Sequence, residues 1–306
     1  MSHYAGAPPG PGDLLRIVDI RTKIVSVSSL LVGSAWALAT APQRFSWSLF
    51  ALVAAATLAI DMGTTGFNSY FDFRSGVDTK ASDQERFKAL VQRDIDPRLA
   101  RDLSFALFAL AVPLGLAIGA RAGWGVVAAG AAGMLFGYFY SGGPSPISRT
   151  PVGEFFAGGL LGGVLVVVAA FVQTQRLDAA TVLVGLPPSL AIAAILSANN
   201  ACDRVGDARA GRRTLAIVLG PERSHLPVFA LVAASVVAAA TLPALGVLPP
   251  RSLLPMVPAA LLAWRVLPAM KARGFSHATK SANMGAVSLV FLAFTACYLA
   301  AIALGA

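Results

Sequence analysis

Residues 48–78 read SLFALVAAATLAIDMGTTGFNSYFDFRSGVD, and this stretch decides the fold. Its first part, 48–70, holds one charged residue, Asp61, and is long enough to cross a bilayer core as a helix. Similar apolar blocks recur near 24–42, 103–120, 123–141, 152–172, 180–200, 227–247, 253–270 and 284–305. Backbone polar groups in lipid must bond within the chain, so such blocks are helices. They are rich in Gly and Ala, which lets helix backbones approach closely. Composition agrees: 56% of residues are hydrophobic and 13% charged, where a soluble domain carries about 25% charged residues. The expectation is an all-α membrane protein of nine transmembrane helices in one bundle, forming a single domain over 24–306. Residues 1–23 are expected as a flexible cytoplasmic N-terminus. Met1 to Gly12, rich in Gly and Pro, lacks the charged n-region of a cleaved signal.

Net charge is +9, and its distribution argues for a membrane orientation. With the N-terminus cytoplasmic, nineteen of the 24 Lys and Arg fall on the cytoplasmic side. Only Arg44, Arg121, Arg176 and Arg251 fall opposite, while Arg265 lies inside the eighth block. That asymmetry is the positive-inside pattern. It puts loops 72–102 and 201–226 in the cytoplasm and leaves no basic face for nucleic acid. Cys202 and Cys297 lack metal-ligand spacing and read as small buried residues.

The acids are the informative residues, because a carboxylate near lipid is costly. Asn68 and Asp72 end the second block, and Asn199 and Asp203 end the sixth. A four-residue spacing puts both side chains of each pair on one helix face. Asp207 extends the second row, Asp78 follows the first, and Asn200 adjoins Asn199. Single acids of this kind are ordinarily solvated helix ends. Two matching rows on one membrane side would make an oxygen-rich cage, the donor set Mg²⁺ takes alongside substrate phosphates. Arg74, Lys88, Arg204, Arg209, Arg212 and Arg213 lie close in sequence and could hold those phosphates. The 131-residue offset between the rows hints at an internal duplication.

At these residues the chain resembles the UbiA superfamily of intramembrane prenyltransferases, marked by two aspartate-rich motifs on the second and sixth of nine helices. Three stretches are similar to the 1,4-dihydroxy-2-naphthoate prenyltransferases of menaquinone synthesis: NSYFDFRSGVDT from Asn68, YFYSGGPSPISRTPVGEFFAG from Tyr138, and GDARAGRRTLAIVLG from Gly206. The chain departs from that group at Ser69, where Asp is usual, and at Cys202, where Arg is usual. It also departs at Asp61, usually uncharged and polar, and in the glycine-poor loop Asp83–Asp96.

The resemblance implies a UbiA-type bundle with cytoplasmic cap loops, integral to the cell (inner) membrane. It implies a prenyl diphosphate donor and an aromatic acceptor. Asp72, Asp78, Asp203 and Asp207, with Asn68 and Asn199, would hold Mg²⁺ on the diphosphate. Asn200, Arg74, Lys88, Arg209, Arg212 and Arg213 would contact substrate. Tyr138 and Tyr140 match the family stretch; aromatic faces can stabilise an allylic cation, although aromatics also gather at membrane interfaces. Asp61 shares the face of Asn68 and Asp72. It reads either as an acceptor ligand or proton acceptor, or as a protonated or Thr-bonded acid beside Thr64 and Thr65. Rival readings are another aromatic acceptor, a UbiA-type terpene cyclase, and a transporter. Inverted repeats with helices broken at the midplane would favour the last, whereas these motifs sit at a helix mouth.

Overall fold

The computed structural model describes residues 9–79 and 88–305. Ser82, Asp83 and the rest of 80–87, part of the expected cytoplasmic loop and of the glycine-poor stretch, lie outside the described residues. Among the described residues all regular structure is helical. In chain order the helices are α1 (Pro11–Ile17), α2 (Ile24–Thr40), α3 (Trp47–Arg74) and α4 (Ala89–Gln92). There follow α5 (Pro97–Ala122), α6 (Gly125–Ser141), α7 (Gly153–Thr174), α8 (Ala179–Arg209) and α9 (Leu215–Arg223). The series ends with α10 (Leu226–Thr241), α11 (Met256–Arg273) and α12 (Lys280–Ala303).

A helix occurs at each of the nine apolar blocks, but they are not equally long. Among the described residues seven helical stretches are long and apolar enough to cross a membrane, and α9 with α10, bent by 103°, would make an eighth. The 17 residues of α6 rise only about 25 Å at 1.5 Å each, short of a hydrocarbon core of roughly 30 Å.

Helix pairing follows the small residues. α3 packs along α5, α2 along α7, and α8 along α10. A Cβ at Gly66 of α3 would meet Ser104 Oγ of α5 at 2.3 Å, so any larger residue would displace the Ser104 hydroxyl. α7 and α8 meet through two matched irregularities. Gly158–Val164 in α7 is π-helical, and a Cβ at Gly162 would lie 2.4 Å from Ser189 Cα, next to Pro187 and Pro188 of α8. Pro188 cannot donate to the carbonyl four residues back. The freed Val184 oxygen instead accepts from Tyr298 Oη at 2.9 Å. Val32, Trp36, Val166, Phe291, Phe294 and Tyr298 form part of the main core.

The N-terminus differs from expectation. Residues 9–23, read as part of a flexible tail, are largely helical: α1 is followed by a 3₁₀ turn, Ile20–Lys23. Ile17 packs with Leu90 and Ile95, and Asp13 accepts from Arg93 Nη1 at 2.8 Å. A local cap, with Gly10 N donating to Asp13 Oδ2 at 3.0 Å and Pro11 at the first helical position, thus combines with partners some 80 residues away to fold this segment.

Candidate active site

The bundle encloses a cavity of about 1500 Å³. Its deep walls are mostly apolar, with Val53, Ile60, Ile118, Val126 and Val168 among them, and Asp61, Thr64 and Thr65 interrupt them on α3. Its mouth collects both acid rows: Asn68, Asp72 and Asp78 from α3 and the turn after it, and Asn199, Asp203 and Asp207 from α8. The four-residue spacing therefore does aim each row into one space.

The carboxylates do not form a bare oxygen cage. Among the described residues no group of three or more His, Cys, Asp or Glu side chains converges enough to hold one metal ion. Each acid instead meets a cation. Arg212 Nη2 donates to Asp72 Oδ1 at 2.5 Å, and its Nη1 lies 3.4 Å from Asp207 Oδ1. One guanidinium thus ties α3 to α8. It is aimed by the turn after α8, where Gly211 has φ +75° and Arg212 N donates to Asp207 O at 2.9 Å. Burial opposes the Arg212 charge, but Asp72 and Asp207 outweigh it and raise its pKa. Asp78 pairs with Lys88 at 2.9 Å, and Asp203 with Lys280 at 2.7 Å, with His277 Nδ1 at 3.8 Å.

The fit of a hard cation rests on donor chemistry. Asp207 Oδ2 is buried with no hydrogen-bond partner among the described residues, and carboxylates with amide oxygens are the donors such a cation takes. Arg204 also lines the mouth, with its Nε buried and without a hydrogen-bond partner among the described residues. Arg209 sits at the exposed rim.

Other expected residues fall as follows. Asn68 accepts from Ser141 Oγ at 2.8 Å. Asn200 reaches the cavity wall, but its amide donates to buried Glu154 Oε1 at 2.9 Å. Tyr140 lines the cavity, whereas Tyr138 does not. Two residues on a helix are about 200° apart, and Tyr138 packs edge-on to Phe67 and Phe71 instead. Arg74 is exposed, with its guanidinium 5.9 Å from the Tyr70 ring centroid. Arg213 is exposed, and its backbone N–H donates to Arg149 O. Neither arginine lines the cavity. Ser69 is turned away too, donating to Ile17 O at 2.9 Å, so its departure from Asp leaves the row intact.

Asp61 has a partner that neither sequence expectation included. It is ion-paired with Lys23 at 2.6 Å, and the side chains are 11% and 4% exposed. Thr65 donates to the Asp61 backbone oxygen rather than to its carboxylate. Lys23, Lys280 and His277 were not singled out from sequence, and Glu154, within the Tyr138–Gly158 stretch, was given no partner. Their partners lie 38 to 77 residues away, so no local pattern marks them.

Residues 26–293 match the sequence profile of the UbiA prenyltransferase family. The chain belongs to that family. Over 187 residues this UbiA-family chain is 36% identical to a 1,4-dihydroxy-2-naphthoate octaprenyltransferase of Bacillus subtilis, covering 61% of the chain and 58% of that relative. Over 184 residues it is 29% identical to the Mycobacterium tuberculosis protein of the same description, covering 59% and 61%. The matched stretches thus span less than two thirds of either relative. In fold it resembles a UbiA homologue from Archaeoglobus fulgidus bound to GPP and Mg²⁺, with TM-score 0.65 at 17% identity, over 95% of this chain and 99% of that one. A homologue from Aeropyrum pernix gives TM-score 0.64 at 20% identity, over 94% and 97%.

Proposed function

We propose that this UbiA-family chain is a membrane prenyltransferase that moves a prenyl group from a prenyl diphosphate to an aromatic acceptor, 1,4-dihydroxy-2-naphthoate, in menaquinone synthesis. One observation carries the reading: two acid rows from α3 and α8 share the mouth of a large cavity whose remaining wall is mostly apolar. At about 1500 Å³ it exceeds a small-molecule pocket of roughly 300–1,000 Å³, as an isoprenoid tail requires. Its wall includes Gly115, Gly130 and Gly133, where an added Cβ would meet nothing within 4 Å.

Bound Mg²⁺, held by Asp72, Asp78, Asp203 and Asp207 with Asn68 and Asn199, would neutralise charge growing on the leaving diphosphate. Arg212, Lys88 and Lys280 exchange carboxylate partners for phosphate oxygens, aided by Arg204 and Arg209. Preorganised cations at the point of charge development act in a partly dry mouth, where they are worth more than in water. The carbon–oxygen bond breaks with its electron pair leaving on diphosphate, a ring carbon of the acceptor attacks the allylic carbon, and that ring carbon then gives up its proton, or its carboxylate as CO₂, to restore the aromatic ring. Apolar walls keep water from that carbon, and Phe136, Tyr140 and Phe156 offer ring faces to its positive charge.

The test is purified protein given several prenyl diphosphates, with and without 1,4-dihydroxy-2-naphthoate, followed by product identification. Prenylated naphthoquinol is expected. A cyclised prenyl product formed without acceptor would replace this reading by a terpene cyclase.

We place the chain in the cell (inner) membrane, with nine crossings and the mouth facing the cytoplasm. The Lys and Arg asymmetry supports this orientation, as does the cytosolic supply of charged prenyl diphosphates. In a background lacking Cys202 and Cys297, Glu222→Cys should resist an impermeant thiol reagent in intact cells. Gln43→Cys should react; both positions are exposed. The reverse pattern would overturn the orientation.

A further inference from the structure

A second polar patch lies on the same cavity wall, deeper than the acid rows, and no step above uses it. Lys23, at the start of α2, is buried, and its ammonium donates to Asp61 Oδ1 at 2.6 Å, Thr65 Oγ1 at 2.7 Å and Asp61 O at 3.3 Å. Its three protons are therefore all engaged. Ser26 Oγ donates to Asp61 Oδ2 at 2.6 Å. Asp61, Thr64 and Thr65 line the cavity, while Lys23 and Ser26 sit behind them.

A buried ion pair is a poor device for stability, since desolvation offsets most of the attraction. Its value lies in what it fixes. Each Asp61 carboxylate oxygen receives one donor from the protein side, which locks its direction and leaves lone pairs for the cavity side. An ionised carboxylate only accepts, so it takes a hydroxyl or N–H and repels another anion. Because Lys23 is already engaged, the patch offers no free cation to a carboxylate ligand. Seven residues at 1.5 Å each put Asp61 about 10 Å deeper than Asn68. That interval suits a one- or two-ring molecule with its hydroxyl on Asp61 and a ring carbon directed to the mouth.

We propose that Asp61, held by Lys23 and Ser26, receives the phenolic hydroxyl of a hydroxyarene and sets the orientation of its ring. The term acceptor subsite rests on the prenyl-transfer reading; the hydroxyl-binding claim does not. Accepting that hydrogen bond also enriches the ring in electron density, which favours attack through carbon.

The experiment titrates 1-naphthol and its methyl ether, 1-methoxynaphthalene, into purified protein in lipid nanodiscs. Geranyl thiodiphosphate with Mg²⁺ is titrated separately. Wild type should bind the naphthol at least about tenfold more tightly than the ether, the effect of one hydrogen bond to a charged group. Asp61→Asn would strand Lys23 as a buried unpaired cation, so the informative variant is Lys23→Met with Asp61→Leu, which removes both charges. It should bind naphthol and ether alike while holding the thiodiphosphate as wild type does, and Asp61→Glu should restore the preference. Absence of a naphthol preference in wild type overturns the proposal. So does its survival in the double variant, or joint loss of naphthol and thiodiphosphate binding there. Failure of wild type to bind the thiodiphosphate would instead sink the prenyl-transfer reading, with the naphthol comparison still deciding the role of Asp61.

Discussion

Asp72→Ala and Asp203→Ala are each expected to lower prenyl transfer at least about a hundredfold, as loss of one preorganised charge-stabilising group does. The two acids come from different helices, α3 and α8, and carry different cations, Arg212 and Lys280. A shared large loss would therefore follow from a shared ligand rather than from one broken contact. The competing explanation is that each carboxylate only steadies its cation. In that case Asp72→Asn combined with Arg212→Gln, which removes both charges of the pair, should recover much of the activity lost in Asp72→Asn alone. A carboxylate that serves the diphosphate centre predicts no recovery, because the second change removes a phosphate-binding group as well. Membrane insertion is checked first, since either substitution leaves a cation without its ion-pair partner. Near-wild-type turnover in correctly inserted Asp72→Ala or Asp203→Ala would reduce these rows to solvated helix ends.

The acid rows were legible because their signal is local. Asn68 with Asp72, and Asn199 with Asp203, share a face through helical geometry alone. The apolar blocks were legible for the same reason, since a hydrophobic run and its length need no knowledge of neighbours. What sequence could not show depends on contacts between distant segments. Lys23 was counted with the N-terminal tail, yet it is buried against α3. Lys280 was one more cytoplasmic cation until α12 placed it on Asp203. The packing of 9–23 on Arg93, Leu90 and Ile95 is beyond the reach of any local window, although the cap of Asp13 on Gly10 is not. Between these limits lies the Tyr138 and Tyr140 pair. Helix geometry alone separates their faces, but only the packing of Tyr138 against Phe67 and Phe71 decides which of them faces the cavity.

Removing divalent metal with excess chelator is expected to abolish transfer, and Mg²⁺ is expected to restore it. The argument is one of charge balance at the mouth. Asp72, Asp78, Asp203 and Asp207 are offset in the structure by Arg212, Lys88 and Lys280. A prenyl diphosphate brings several further negative charges to the same place. The three cations cannot bind phosphate oxygens and keep neutralising the carboxylates, and like charges held a few ångströms apart disfavour ionisation of both. Asp72, Asp78, Asp203 and Asp207 would hold a divalent ion whose charge would resolve the conflict and leave Arg212, Lys88 and Lys280 for the leaving group. Protonation of one or two carboxylates is the other way out, and it predicts activity in chelator that rises as pH falls. The two can be separated without turnover, by titrating geranyl thiodiphosphate with and without Mg²⁺. Tight binding that needs the metal in wild type, and is lost in Asp72→Ala, supports this role of the carboxylates. Equal binding and full activity in excess chelator would show that Arg212, Lys88 and Lys280 suffice, and the metal-dependent mechanism would be abandoned.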